Sequence, residues 1–256
     1  GNAITGGGPA VGGGSAFTNT CSVEFAQSGG GGIDDYVEGS ATFSALDGLA
    51  KGSFSYWIKP IAGTPVTQST FGINKSGGTG TNVVVGMWLY QGNRIEVNLS
   101  ATGVYVRGNI SGVTYGSWNH IVVACDGSQA LNADKARIYV NGSDVTTINN
   151  LGSFSTFQTS ASPLRVGDSA TGYQNPVKGH MDEFAVWANL QLSSSDVTAL
   201  YNSGTPTDLS TFSTQPTLWW RMGDNDGCTG TTITGQGLSP TNASLINGAN
   251  FSSDVP

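Results

Sequence analysis

The chain is short of charge. Asp, Glu, Lys and Arg make up 11% of its 256 residues, well under the roughly 25% usual in soluble proteins. Lys and Arg number 10 against 17 Asp and Glu, for a formal net charge of −7. Those cations are scattered, so no basic stripe exists to displace counterions from a phosphate backbone, and nucleic acid is disfavoured as a partner. An anionic membrane surface is disfavoured for the same reason. No apolar run approaches the ~18 residues that cross a bilayer, and no signal peptide is visible. Two histidines are too few for a histidine-rich metal site. The three cysteines form no C-x-x-C pair, which removes a zinc cluster. The Gly-x-Ser-x-Gly elbow of serine hydrolases and the Gly-Lys-Ser/Thr of a phosphate loop are both missing.

What fills the chain instead is glycine, 38 of 256 residues, about twice average usage, together with Ser, Thr and Asn. A polar, nearly uncharged surface suits an extracellular or virion protein packed beside copies of itself. Residues 1–20 form a glycine-rich arm in which two Gly triplets flank Pro9. Alone, such a segment cannot bury enough to offset its ordering entropy. It is pinned by partner chains, including copies of itself, or it folds back on its own domain; both readings stay open. Cys125 ends the apolar run Ile121-Val122-Val123-Ala124 and reads as a buried small hydrophobe. Cys21 and Cys228 lie near opposite ends and can pair if the termini meet, although no spacing rule fixes connectivity.

Residues 21–256 read as one domain of short strands and polar loops, with return strands within 217–256. Phe54 to Ile58 alternates, and Arg94 to Leu99 puts Ile95, Val97 and Leu99 on one face. Val83 to Tyr90 and Trp118 to Cys125 are more continuously apolar, as strands covered on both sides are. Ile138-Tyr139-Val140 runs into Asn141-Gly142, a strong hairpin signal. Many short strands between Gly-rich turns predict a sandwich or barrel. One helix stands out. Ser193 is a suitable N-cap with Asp196 placed for a capping box, and Leu192 can staple against Val197. Val197, Leu200 and Tyr201 share a face, and Gly204 can supply the left-handed C-terminal residue. In Leu218-Trp219-Trp220 one indole should enter the core and the other lie under a loop or outside. Ser244 to Ile246 is expected as the last strand, beside the N-terminal one.

Trp118-Asn119-His120-Ile121-Val122-Val123, Asp126-Gly127 and Arg137 to Gly142 resemble the middle of laminin-G-like jelly rolls. Leu164-Arg165-Val166-Gly167 resembles the next strand. Gly179 to Trp187, Leu192-Ser193, Asp196-Val197 and Leu200-Tyr201 resemble the family's closing strand and helix. The resemblance covers about residues 21–205. It implies an all-β fold: a two-sheet antiparallel jelly-roll sandwich, concanavalin-A-like, with one short helix. Trp118 and Trp187 are expected to fill the space between the sheets. The segment Leu218 to Asp224 and the ending Phe251 to Pro256 also resemble tails of laminin-G-like proteins from marine bacteriophage virions.

Glucanases of this broad fold need two carboxylates flanking the scissile bond. Asp182 and Glu183 are adjacent and are expected on opposite faces of a strand; Asp34-Asp35 is likewise adjacent, and Asp224 with Asp226 sits in a turn. No catalysis is therefore expected. His120 lies inside a strand pattern and reads as a hydrogen-bonded structural residue. Laminin-G-like modules often hold calcium at one edge, which makes Asp168 and then Asp126 the candidate ligands; each can equally cap its own turn. For a sugar, Tyr173, Gln174 and Asn175 offer an aromatic face and two amides in one loop, and Trp88, Tyr90 and Tyr105 could form another face. The sequence thus points to a non-enzymatic virion structural protein. It would be a capsid decoration or fibre component at the virion surface, with capsid or tail proteins, its own copies or host-surface glycan as partners. The alternative is a secreted bacterial carbohydrate-binding or adhesion module.

Overall fold

The computed structural model describes residues 17–26, 34–61, 67–75, 83–90, 94–99, 104–169 and 175–256. The strands are β1 (Ser22–Phe25), β2 (Tyr36–Thr42), β3 (Lys51–Pro60), β4 (Gln68–Asn74), β5 (Val83–Tyr90), β6 (Arg94–Leu99) and β7 (Tyr105–Asn109). Then come β8 (Asn119–Asp126), a single helical turn α1 (Asn132–Lys135), β9 (Ala136–Val140), β10 (Ser143–Asp144), β11 (Thr146–Asn150), β12 (Pro163–Val166) and β13 (Asn175–Pro176). The chain closes with β14 (Gly179–Ala188), α2 (Ser194–Tyr201), β15 (Leu218–Trp220), β16 (Thr232–Ile233), β17 (Gly235–Gln236), β18 (Ala243–Ile246) and β19 (Asn250–Ser252).

Two sheets result. The first runs β10-β9-β8-β3-β14-β1-β19, with β15 also on β14 and β17 on β15; the second runs β11-β7-β6-β5-β4-β12-β2-β18-β16. Pairing is antiparallel apart from the two residues of β13, which lie parallel to β4. Period-two alternation decides which side chains meet. Phe54, Tyr56 and Ile58 of β3 join Ile121 and Val123 of β8 and Phe71 and Ile73 of β4 between the sheets. Ring stacking organises this core, with Phe54 and Phe71 centroids 4.9 Å apart and Tyr56 and Phe184 5.8 Å apart. Asn141 and Gly142 take φ of 50° and 80° between the paired Val140 and Ser143, the positive-φ hairpin turn that the dipeptide predicts.

A second apolar cluster covers the outer face of the first sheet. Val122, Ala124, Tyr139, Ala185, Trp187 and Trp219 pack there against Leu192, Val197, Leu200 and Leu209. Burying side chains of this size contributes about 1.5–3 kcal/mol each. The capping box of α2 forms as expected, Ser193 accepting from the Asp196 amide and Asp196 reaching back to Ser193 N. Trp220 enters the main core and Trp219 the second one, as adjacent strand residues must.

Three expectations are corrected. Trp187 is buried, but on the outer face under α2, where its Nε1 donates to Thr214 O at 2.7 Å. Trp118 is only half-buried, its Nε1 donating to Asp254 Oδ1 at 3.0 Å. Neither indole lies between the sheets, because both stand one residue out of phase with the inward set. The left-handed end of α2 begins at Asn202 (φ 44°), ahead of Gly204. Finally, β18 pairs with β2, and it is β19 that lies beside β1. With the ends adjacent, Cys21 and Cys228 form a disulfide with Cα atoms 5.9 Å apart. Cys125 is free and buried, and burial, with Asp126 next to it, pushes its thiol up. Among the described residues no helix is long and apolar enough to cross a membrane.

Candidate functional site

Helix α2 and its flanking segments cover the outer face of the first sheet, so the outer face of the second sheet is where chemistry can reach solvent. Register lays it out. Trp88 of β5 stands opposite Glu96 of β6, which stands opposite Arg107 of β7. Tyr90 pairs with Arg94 and Asn98 with Tyr105. Trp88, Tyr90 and Tyr105 therefore share this face.

Each cation on the face lies on a tyrosine and is tied to an acid. The Arg94 guanidinium sits 4.0 Å from the Tyr90 ring centre and that of Arg107 4.0 Å from Tyr105. Buried Glu96 accepts Arg107 Nε at 2.6 Å, has Arg94 Nε at 3.2 Å, and takes Asn98 Nδ2 at 3.3 Å. Further along, Arg165 lies 4.2 Å over Tyr36, bonds Glu38 at 2.8 Å and approaches Asp168 at 3.6 Å. Stacking of this kind is worth about 0.5–1 kcal/mol at exposed sites; its larger effect is to hold the long side chains flat. Burial, then the charge of Glu96, pushes the Tyr90 phenol up, so it stays a neutral hydroxyl. Three guanidiniums face three carboxylates, and the platform is rigid and balanced in charge.

Besides Arg94 Nε, which meets Glu96 only as an ion pair, the indole of Trp88 is left over. Trp88 is 5% exposed and its Nε1 is buried without a hydrogen-bond partner. Its ring lies across Gly86, where a Cβ would collide with Trp88 Cη2; a glycine is what lets the indole lie flat on the strands.

Of the candidate residues read from sequence, the two whose side chains are described, Asp168 and Asp126, lie on different sheets. Tyr173 and Gln174 lie outside the described residues, as does the side chain of Asn175, whose backbone pairs with Gln68. Asp168 sits beside Arg165 on the second sheet, whereas Asp126 ends β8 in the first. Asp126 Oδ1 accepts from Ser128 N at 3.0 Å and Ser128 Oγ at 2.5 Å, and Oδ2 from Gln129 Nε2 at 2.9 Å with Lys51 at 3.4 Å. Burial raises its carboxyl, but these bonds outweigh it and hold the group below its usual range. That is a turn cap with its oxygens engaged. Among the described residues no group of three His, Cys, Asp or Glu side chains is arranged to hold a metal ion. Sequence reasoning left out the arginines, although Arg94 with Glu96 and Tyr105 with Arg107, each at i, i+2, are the pattern of side chains sharing a strand face.

A second polar cluster is buried. Between Asp182 and Ala185 the β14–β3 register shifts, and Glu183 takes φ of 50°. This bulge turns both Asp182 and Glu183 to the outer face, which corrects the expectation that adjacent acids point apart. It is also where β14 changes partner. β1 pairs with residues 179–181 and β15 with 184–186, so the start of one and the end of the other meet there. Glu183 accepts from Trp219 Nε1 and, at 3.2 Å, from Arg221 Nε. Asp182 accepts from Asn19 Nδ2 at 2.9 Å. Arg221 also bonds Asp224 at 2.8 Å and donates to Thr18 O at 2.5 Å. Asp224 Oδ1 takes the amides of Thr20 and Cys21 at 2.8 and 3.1 Å. Burial raises both carboxyls of the bulge, Glu183 to about 7, and Asp182 well above its usual range with the Glu183 charge adding to the effect. Asp182 is 0% and Glu183 4% exposed, so neither can meet a substrate in this arrangement.

His120 is buried beside them and shares with Glu183 a cavity of about 10 Å³, room for a single water at most. It contacts Ser55 Oγ through Nε2 at 2.8 Å, and burial lowers it to about 3, the hydrogen-bonded structural histidine expected.

Compared with known proteins, residues 29–198 match the family model described as the Concanavalin A-like lectin/glucanases superfamily, of laminin-G type. The heptameric SAP-like pentraxin from Limulus polyphemus is similar in fold, with TM-score 0.63 and 13% identity over 92% of this chain and 96% of that one. The CBM40 of Ruminococcus gnavus IT-sialidase, bound to sialyllactose, gives TM-score 0.47 and 15% identity over 64% of this chain and 93% of that one. Domain 4 of the arabinanase AbnA from Geobacillus stearothermophilus, with arabinotriose, gives 0.45 and 19% over 71% and 87%. No curated protein sequence matches the chain.

Proposed function

Because the chain belongs to the concanavalin A-like lectin/glucanases superfamily, we propose that it is a non-enzymatic binding module that takes a glycan on the outer face of its second sheet. The observation that carries this reading is the buried Trp88 N–H with no acceptor on a platform whose charges are otherwise paired. A buried donor left unmade is costly, and a ligand hydroxyl that displaces the cover over the indole edge repays it. The stacked Tyr–Arg pairs offer flat guanidinium planes and ring edges on which a sugar can lie, and the balanced charge favours a neutral, hydroxyl-rich one. Asn175, the last residue of the segment Tyr173-Gln174-Asn175 proposed from sequence, pairs through its backbone with Gln68, whose neighbour Ser69 pairs with Trp88, and this supports including that segment in the proposal. Asp168 beside Arg165 is the better placed of the two calcium candidates, since Asp126 is on the other sheet. The disulfide supports an oxidising, extracellular setting.

The test is an oligosaccharide panel read by calorimetry, with and without chelator, on the wild type and Trp88→Phe. Phe keeps an aromatic ring but removes the donor together with part of the indole, so unfolding midpoints of the two proteins are compared alongside. Binding should weaken about threefold to tenfold with the fold intact. Unchanged affinity in the variant, or silence across neutral and acidic glycans, sinks the proposal.

A narrower reading places the module on a virion, as capsid decoration or fibre component contacting capsid or tail proteins or its own copies. What favours it is the rooted arm: Asn19 and Thr20 are bonded to Asp182 and Asp224, which gives the glycine-rich segment a fixed origin. Immunogold labelling of purified particles is the check, and unlabelled virions would refute it.

A further inference from the structure

Residues 17–20 are held to the domain by the same groups that surround the acid bulge. Phe17 stacks on Trp219 at 6.4 Å and lies under Arg221 at 4.4 Å. Thr18 O, Asn19 Nδ2 and the Thr20 amide and hydroxyl are bonded to Arg221, Asp182 and Asp224. The disulfide fixes Cys21 immediately behind them. We propose that the Asp182–Glu183 bulge is a proton-operated clasp: a proton held by the pair keeps residues 17–20 on the sheet, and its loss loosens them about the Cys21 hinge.

The charge count gives the reason. Asp182 and Glu183 come from β14, Asp224 and Arg221 from the segment after β15. The other groups against them are uncharged: Asn19 and Thr20 from the arm root, Trp219 from β15, Ser55 and Trp57 from β3, and neutral His120 from β8. One guanidinium therefore serves three carboxylates. Fully ionised, the cluster holds two uncompensated negative charges out of water, which is strongly unfavourable; one proton halves that excess. Asn19 Oδ1 is buried without a donor, and a half-turn of its amide lets a protonated Asp182 supply one. The bulge sits where β1 and β15 abut, so on that side, opposite β3, no continuous neighbour strand holds it closed. Burial places the Glu183 transition at about 7, within reach of ordinary environments.

The experiment is NMR on the full chain with nitrogen-15-labelled tryptophan, combined with amide-exchange protection factors. The Trp219 indole N–H, which donates to Glu183, should shift with a midpoint near 7. Protection factors of the Thr20 and Cys21 amides should fall about tenfold from about pH 6 to about pH 8.5. Glu183→Gln should abolish the shift and flatten the protection. If that variant does not fold, Asp182→Asn and the wild-type titration decide alone. A Trp219 signal flat across neutrality overturns the proposal, and so does one that titrates while Thr20 and Cys21 protection stays constant. Glycan affinity plays no part in either readout.

Discussion

Opening the Cys21–Cys228 bond is expected to cost a large share of the domain's stability. The bridge joins residues 207 positions apart. Closing a loop of that size removes about 18 cal/mol/K from the unfolded chain, or about 5 kcal/mol at 25 °C. Domains of this kind hold only about 5–15 kcal/mol in total. The perturbation is the double variant Cys21→Ser/Cys228→Ser, which leaves the buried Cys125 thiol alone and avoids an unpaired partner. The assay is urea unfolding followed by tryptophan fluorescence, comparing wild type, wild type under reductant, and the variant. Two changes are expected together. The free energy falls by about 3–5 kcal/mol, and the urea slope rises, because an unlooped denatured chain exposes more surface. A loss below about 1 kcal/mol with an unchanged slope would show that the bond does not constrain the unfolded chain, and would refute the reasoning.

Two buried groups should tilt the pH profile in opposite directions. Glu183 is raised from 4.5 to about 7, so the native state binds the extra proton and stability falls as pH rises through that window. His120 is lowered from 6.5 to about 3, so the unfolded state binds the extra proton and stability falls as pH drops below 6.5. Where the windows overlap the slopes oppose each other, each up to about 1.4 kcal/mol per pH unit. Glu183→Gln should therefore lose stability toward acid and His120→Gln gain it, as read from urea midpoints; parallel profiles would contradict both assignments. Gly179 has φ of 132°, and a Cβ there would strike Lys59 O. Gly179→Ala should cost about 3 kcal/mol or more, and a melting temperature within a degree of wild type would exclude that clash. Lys135 Nζ donates to the carbonyls of Leu151, Gly152 and Phe154 at 3.2, 3.4 and 2.7 Å. Lys135→Met should cost about 2–3 kcal/mol by leaving them unpaired, and a neutral result in the same urea assay would mean water replaces the ammonium.

The sandwich was legible because its signals are local. Alternation in β3 and β6, the Asn141-Gly142 turn and the Ser193–Asp196 cap each act within a few residues and agree with one another. Phase across a strand was less legible. Trp118 and Trp187 were placed between the sheets on size, yet Ile121 and Val186, which do face the core, set a parity that excludes both. The bulge was hidden by residue type, since a left-handed glutamate carries no glycine or asparagine to announce it. Its trace lay in the apolar spacing: Met181, Phe184 and Val186 all face the core, and the gap of three between the first two requires one extra residue. The second-sheet platform was half visible, because the tyrosines share a parity with the arginines, but stacking across strands needs the register, and register is set by the whole sheet.

Ser22 stands opposite Ser252 in the β1–β19 pair, so tension applied through both ends of the chain acts at one corner and peels those strands apart rung by rung. The peeling has a covalent stop. Cys21 lies one residue before β1, and its bond to Cys228 carries the load directly across. Only the stretches before Cys21 and after Cys228 can be drawn out, while the chain enclosed between the two sulfurs carries no tension along its backbone. Drawing out the C-terminal stretch strips β18 from β2, whereas Trp88, Tyr90 and Tyr105, on strands that the load does not enter, keep the central part of the proposed binding face in place.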